Sequence, residues 1–414
     1  MTHLTATSGS FSDLPIAPTL LSILESLHYD KPTPIQYQCI TPANEGKDVV
    51  GIAQTGTGKT LAFAIPLIQR LSETKGQGLI LLPTRELALQ VNEVLQKVGR
   101  SIGLKTAVII GGASSYEQIQ SLRREPHIIV STPGRLIDHL QQKNFNLNKV
   151  SVIVLDEADR MLDIGFMPAI KQILAWAPKN HQTMMFSATM PEAIAEIASR
   201  FMKLPIRIEV APSGTAAENV KQEIFIISKD AKIQLLDKLL EENNGTVLVF
   251  SRTKFGAKKI TANIRAMGHT AADIHSNKSL SQRRAALEGF KSGKFRVLVA
   301  TDIASRGIDV KNISLVVNYD LPDNSEDYVH RIGRTGRANE SGKAVSFVTP
   351  EERSDIRQIE RLIKKTIPVI ALPVLPPRRA KVEVSRGESR PVGRRNFARM
   401  KKELHHPRRY SRQG

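Results

Sequence analysis

Six short apolar runs, each followed by a longer stretch with helical periodicity, occupy the first half of this chain. The runs are "KDVVGIA", "QGLILL", "TAVII", "HIIVS", "SVIVL" and "TMMFS". They are rich in Val and Ile and bounded by Gly, Pro, Asp or Ser, so they predict strands buried on both faces. Stretches such as "RELALQVNEVLQKVGRSIG" and "PEAIAEIASRFM" between them predict helices. Strands alternating with helices make a parallel sheet covered on both sides. The pattern stalls after "RIEV" in a stretch rich in Pro, Ser, Gly, Thr and Ala, and then restarts with "QEIFIIS", "TVLVFS", "FRVLVATD", "ISLVVNYD" and "AVSFVT". The expectation is an α/β chain of two parallel-sheet domains, over about 11–210 and 219–368. A flexible N-terminus over 1–10, a linker over 211–218 and a basic disordered tail over 369–414 complete it. A length of 414 residues suits two cores better than one.

The net charge is +19. More than half of it lies between Arg378 and Gly414, where 13 Lys and Arg stand against 3 Asp and Glu. Such a surplus points to a polyanionic partner, nucleic acid ahead of membrane, although basic tails can also serve solubility alone. Cys39 is the single cysteine, which excludes an intrachain disulfide and fits a reducing compartment. "MTHLTATSGSFSDLP" lacks the charge and apolar run of a secretory signal. No apolar run approaches the ~18 residues of a membrane span. A soluble, cytoplasmic protein without a membrane partner is expected.

The first strand leads into "AQTGTGKT", Ala53, Gln54, Thr55, Gly56, Thr57, Gly58, Lys59 and Thr60. Ala53 stands where a phosphate-binding loop usually has its first glycine. Two glycines let backbone N–H groups close around phosphate oxygens, and a helix beginning at Lys59 turns its positive end to them. Lys59 is expected to reach β- and γ-phosphates and Thr60 to place its hydroxyl on Mg²⁺. "SVIVLDEADR" ends a strand in carboxylates, where ligand crevices of parallel sheets open. Asp156 is placed to hold Mg²⁺ and Glu157 to orient or deprotonate an attacking water. A solvated acidic helix cap is the plainer alternative.

These motifs occur in order with "PTREL" (83–87), "GG" (111–112), "TPGR" (132–135), "SAT" (187–189), "ATDIASRGID" (300–309) and "HRIGRTGR" (330–337). The chain resembles the DEAD-box ATP-dependent RNA helicases over about residues 11–368. "DEADRMLDIGF" and the basic tail are similar to their bacterial RhlE-like branch. The resemblance implies two RecA-like domains holding ATP, Mg²⁺ and RNA across their cleft. Gln36 would read the adenine edge, Tyr29 would stack on the base, and Phe11 is similar to the isolated upstream aromatic of that motif. Apart from the resemblance, Gln36 is a residue of a turn entering a helix. His28 departs from the family's glycine, which implies a changed turn and retained ATP binding. Arg334 and Arg337 would act as arginine fingers, His330 would link the γ-phosphate region to the other motifs, and Asp309 would contact the nucleotide. Ser187 and Thr189 would couple to Asp159.

On the nucleic-acid side the resemblance implies phosphate contacts from Arg85, Gly111, Gly112, Thr132, Gly134 and Arg135, with Arg252, Arg283 and Thr301 as second-domain counterparts. Contacts of this kind position a strand without reading it. The family's Gln three residues before Arg283 is replaced by Leu280, and the adjacent Gln282 is left without an assigned part. The implied activity is local unwinding of short RNA duplexes driven by ATP hydrolysis. The alternative is an ATP-gated RNA clamp with little strand separation. The tail would add salt-sensitive, sequence-neutral affinity.

Overall fold

Val49 and Val50 are adjacent in sequence and pack into different hydrophobic clusters, one on each face of the same sheet. Val152 and Val154 likewise face one cluster, Ile153 and Leu155 the other. Double-sided burial is why these strands are continuously apolar rather than alternating. A computed structural model describes residues 9–54, 56–210, 220–302, 313–336 and 342–377. Thr55, Asp309 and Arg337, the expected linker and residues 378–414 of the tail lie outside the described residues.

The first sheet contains β1 (Val49–Ile52), β2 (Gln77–Leu81), β3 (Thr106–Ile109), β4 (Ile128–Ser131), β5 (Val150–Leu155), β6 (Gln182–Ser187) and β7 (Ile206–Glu209). Their order is β3-β4-β2-β5-β6-β1-β7. The second contains β8 (Val220–Ile226), β9 (Val247–Phe250), β10 (Ala271–Ile274), β11 (Val297–Ala300), β12 (Leu315–Asn318) and β13 (Gly342–Val348), in the order β10-β11-β9-β12-β13-β8. Every described pairing is parallel. All strand ends of one sheet therefore open on the same side, and the motif loops leave from those ends. Both sheets belong to one compact unit, Met1–Arg378.

Three details depart from the sequence reading. Strands β7 and β10 are additional to the apolar runs. "IRIE" is partly exposed at the sheet edge and "AADI" has only one branched residue, so neither stands out as a run. The expected tail boundary at 369 is too early. Ile224 of β8 donates its N–H to Pro368 O (2.9 Å) and accepts from Ile370 N–H (2.8 Å), and Gln234 Nε2 donates to Pro376 O (2.7 Å). Residues 368–376 thus pack along the second domain, held by backbone groups that an unpaired strand edge offers.

The third detail is His28. It takes φ +59°, ending the helix Pro18–Ser26 with hydrogen bonds from His28 N to Glu25 O and from Tyr29 N to Leu24 O. This is the left-handed helix-terminating turn that glycine adopts without strain. The turn is therefore kept, with a histidine strained into it, rather than changed. His28→Gly should raise stability by about 0.5 kcal/mol, the ~1–2 kcal/mol of left-handed strain less the extra freedom of an unfolded glycine. Urea unfolding followed by tryptophan fluorescence at Trp176 checks this, and a lower midpoint refutes it.

Candidate nucleotide site and nucleic-acid groove

Gly56 and Gly58 both take φ +88°, which opens the loop after β1 into a cradle. A Cβ on Gly58 would sit 2.4 Å from Gln36 Nε2. Lys59 is buried, and its Nζ donates to Ala53 O at 2.8 Å, across the mouth of the loop. Ala53 N in turn donates to Ser187 O (3.0 Å), and Thr57 Oγ1 closes the loop on Gln54 O (2.7 Å). Thr60 occupies the second position of the helix Lys59–Thr74. Gln36 is buried at the start of the helix Pro34–Asn44. Its Oε1 accepts from Thr33 N (2.8 Å) and its Nε2 donates to Gly58 O (2.9 Å). A primary amide has a second lone pair and a second N–H, so a donor and an acceptor remain for a base edge. Tyr29 is half-buried against the first core, and Phe11 is a buried member of that core.

Asp156, Glu157 and Asp159 follow β5, all nearly fully buried. Burial pushes the Asp156 carboxyl up to about 7, only partly opposed by Lys59. Burial also acts to raise Asp159, but Lys59, Arg160 and the Thr189 N–H outweigh it and hold that carboxyl below its usual range. Asp159 Oδ2 accepts from Ala188 N (3.0 Å), Thr189 N (2.8 Å) and Thr189 Oγ1 (3.1 Å), while Ser187 Oγ accepts from Asp159 N (3.1 Å). The end of β6 is therefore tied to the acidic loop by four hydrogen bonds. Glu157 sits at φ +52° and pairs with Arg160 at 3.0 Å.

The second domain brings His330, Arg331 and Arg334 to this loop, around a small cavity that Arg160 completes. Burial, then Arg160, opposed by Asp159, pushes His330 down to about 3, so its ring is neutral at physiological pH. Arg331 is engaged by its own domain. It forms a two-point ion pair with Asp302 (2.5 and 2.7 Å), donates to Asn318 Oδ1 (3.1 Å) and Asp320 O (2.6 Å), and lies over the Phe250 ring. It is a structural arginine.

A groove of about 390 Å³ opens beyond the ends of β2, β3 and β4. Arg85, Gly111, Thr132, Gly134 and Arg135 line one side, and Ser276, Lys278 and Arg283 line the other. The Arg85 guanidinium crosses the two glycines. A Cβ on Gly112 would sit 2.3 Å from Arg85 Nη1, and Gly112 takes φ +76°. Glu86 reaches across to Arg283 at 3.1 Å. Leu280 packs against the core of the first domain.

Comparison with known proteins bears on both domains. A family profile described as DEAD/DEAH box helicase matches residues 33–197, and one described as helicase conserved C-terminal domain matches 231–339. The DEAD-box ATP-dependent RNA helicase CshA of Bacillus cereus is 42% identical over 369 residues, 88% of this chain and 70% of the relative. The chain belongs to the DEAD-box ATP-dependent RNA helicase family. The ATP-dependent rRNA helicase RRP3 of Debaryomyces hansenii is 41% identical over 363 residues, 87% of this chain and 76% of the relative. Among solved structures, Saccharomyces cerevisiae Dbp5 bound to RNA and ADP BeF3 is similar at TM-score 0.78 and 29% identity, over 87% of this chain and 95% of that one. Mss116p bound to single-stranded RNA and AMP-PNP is similar at TM-score 0.81 and 27% identity, over 89% and 80%. The two-sheet architecture is the RecA-like helicase fold of these DEAD-box proteins.

Within this helicase, the residues suggested by the resemblance divide into three groups. Lys59, Asp156, Glu157, Asp159, His330 and Arg334 converge on one cleft. Arg85, Gly111, Thr132, Gly134, Arg135 and Arg283 converge on the groove, with Gly112 beneath Arg85. Arg252 and Thr301 do not line it. Arg252 pairs with Asp323 (3.3 Å) and Glu352 (3.4 Å), and Thr301 N donates to Ile274 O (3.3 Å). Gln282 caps its own helix through Ser279.

Two further residues support the site and were given no part by the resemblance. Arg160 pairs with Glu157 and completes the small cavity lined by His330 and Arg334. Gln118 is buried behind the lining residue Arg135. It donates to Ile110 O (2.9 Å) beside the two glycines and accepts from Arg135 Nε (3.2 Å) and pairs with His139 Nε2 (3.1 Å). It thereby holds Arg135 in register with Gly111.

Proposed function

We propose that this chain binds RNA along the groove and locally unwinds short duplexes or remodels structure, coupled to ATP hydrolysis in the adjoining cleft. One observation carries the reading. The phosphate-loop lysine and the acidic loop of one domain face His330 and Arg334 of the other, beside a groove lined by cations from both. A nucleotide held from both sides favours domain closure through contacts that separated domains lack. The solved relatives carry RNA together with a nucleotide analogue, which supports the same pairing of ligands here.

The residues fit a magnesium nucleotide. The glycine cradle leaves no room for a side chain at Gly58, and burial drives the Asp156 carboxyl toward neutrality, which a bound cation would reverse. Thr60 and Asp156 would hold Mg²⁺, which neutralises charge on the phosphate oxygens when bound. Lys59 would contact the β- and γ-phosphates, and Gln36 and Tyr29 the base. Glu157 would orient and accept a proton from the attacking water, with Arg160 fixing its carboxylate. Arg334 would stabilise charge that develops on the transferred group. Asp309 and Arg337 are assigned by resemblance alone. The placement of the protein in the cytoplasm, and within the RhlE-like branch, belongs to the same proposal; among the described residues no helix is long and apolar enough to cross a membrane.

A strand-displacement assay on a short RNA duplex tests the activity. Separation is expected with ATP at catalytic enzyme, and single turnover at most with a nonhydrolysable analogue. ATP turnover should rise with single-stranded RNA and much less with DNA of the same sequence, through 2′-hydroxyl contacts. ATP-independent or DNA-equivalent behaviour would overturn the reading.

A further inference from the structure

Aromatic residues make up only 5% of the chain, and most of those described are at least partly buried. Trp176, at 44%, Tyr116 and Phe255 are the exposed ones, and the last two stand out. Each is 71% exposed, more than any other aromatic side chain among the described residues. A single exposed aromatic needs no explanation. The location of these two does.

Tyr116 is the second residue of the helix Ser115–Arg123, which starts just after the two glycines. Its neighbour Ser115 accepts from Arg135 Nη2, and Arg135 lines the groove. Phe255 lies on the other domain, second in the helix Lys254–Ala266. Its neighbour Lys254 holds Asn277 Oδ1 at 3.1 Å, between the groove residues Ser276 and Lys278. The Lys254 ammonium also lies 5.4 Å from the Phe255 ring centroid. Lys258 and Lys259 are exposed on the following turn. Each wall of the groove thus has one open ring near it: Tyr116 follows a serine bonded to the lining residue Arg135, and Phe255 follows a lysine bonded to Asn277, which stands between two lining residues. On the second domain the ring is set among cations.

We infer that Tyr116 and Phe255 are stacking platforms for unpaired nucleobases of the strand held in the groove. The inference rests on the RNA-binding reading above and extends it from phosphates to bases. Every base has a π-face, so a ring grips any sequence; a base inside a duplex has both faces covered by its neighbours and cannot be gripped. The rings would therefore favour the separated strand over the paired one, and Lys258 and Lys259 would lie near the phosphates of a base on Phe255. A membrane or apolar protein partner is disfavoured because the rings lie on helices of different domains and Phe255 is set among lysines.

The test is fluorescence anisotropy of the full chain with a labelled oligoadenylate in the presence of a nonhydrolysable ATP analogue. Tyr116→Ala and Phe255→Ala should each weaken binding about tenfold, the size of one base–aromatic stack. The slope of affinity against salt should not change, because no phosphate charge is lost. Tyr116→Phe and Phe255→Tyr should remain within about twofold of the unaltered chain, since the π-face is kept. Trp176→Ala, at an exposed ring away from the groove lining, should bind normally. If the unaltered chain binds RNA and both alanine variants match it, the stacking inference falls alone. It also falls if Phe255→Tyr loses as much as Phe255→Ala. If the unaltered chain does not bind RNA, the helicase reading falls first and takes the inference with it.

Discussion

Glu157→Gln should lower RNA-stimulated ATP turnover by two to four orders of magnitude, the range associated with a lost general base. Lys59→Ala should act comparably, by removing a buried cation from the phosphates. Turnover at saturating single-stranded RNA and ATP is the measurement, and near-normal rates in either variant would overturn the assignment of the cleft. Glu157 has a second duty that sharpens the test. Its carboxylate pairs with Arg160, a side chain only 1% exposed. The amide of glutamine still accepts a hydrogen bond, so the uncompensated guanidinium should destabilise the first domain by about 1–3 kcal/mol. Adding Arg160→Met to Glu157→Gln should restore the unfolding midpoint and leave turnover lost. A double variant that regained turnover would show that the carboxylate acts on Arg160 alone.

Arg331→Met should cost about 3–5 kcal/mol of stability in the second domain, whereas Arg334→Ala should cost less stability and abolish turnover. The two arginines stand three residues apart in "HRIGRTGR". Arg331 is 2% exposed and saturated by Asp302, Asn318 and the Asp320 carbonyl. Its removal takes the two-point ion pair from the Asp302 carboxylate and strips a face from Phe250. Pairing the change with Asp302→Asn should recover part of the loss, because a neutral amide tolerates the missing cation better. Thermal unfolding followed by circular dichroism reads the effect, and an unchanged midpoint for Arg331→Met would refute the structural role. Arg334 lines the cavity between the acidic loop and His330, where charge on a nucleotide would develop.

The difference between these two residues shows where sequence reading succeeds and where it stops. Runs such as "SVIVL" and "TVLVF" became strands because a sheet buried on both faces demands apolar residues at every position. "IRIE" at a sheet edge and alanine-rich "AADI" send no such signal. The glycine cradle and the acidic loop were legible because phosphate and metal chemistry require particular residue types at fixed local spacing. Arg331 and Arg334 have the same side chain in the same motif, and only their partners separate them. Arg331 is held by Asp302 just after β11, by Asn318 at the end of β12 and by the Asp320 carbonyl beyond it, whereas Arg334 lines the small cavity that Arg160 of the first domain completes. Arg252 shows the converse. Its position resembles a phosphate contact, but Asp323 and Glu352 occupy its guanidinium. Gln118 takes its importance from partners 8 to 21 residues away that folding supplies, so local spacing could not reveal it; the spacing of Arg160 to Glu157 is local, but its place beside His330 is not.

The return of residues 368–370 onto Ile224 carries a consequence for handling and for evolution. Strand β8 is the last in its sheet, and a bare outermost strand invites a second molecule to add itself there. The chain's own continuation occupies that place. A shortened form that stops before Pro368 would be expected to self-associate through this margin, whatever its ability to hold nucleotide or RNA.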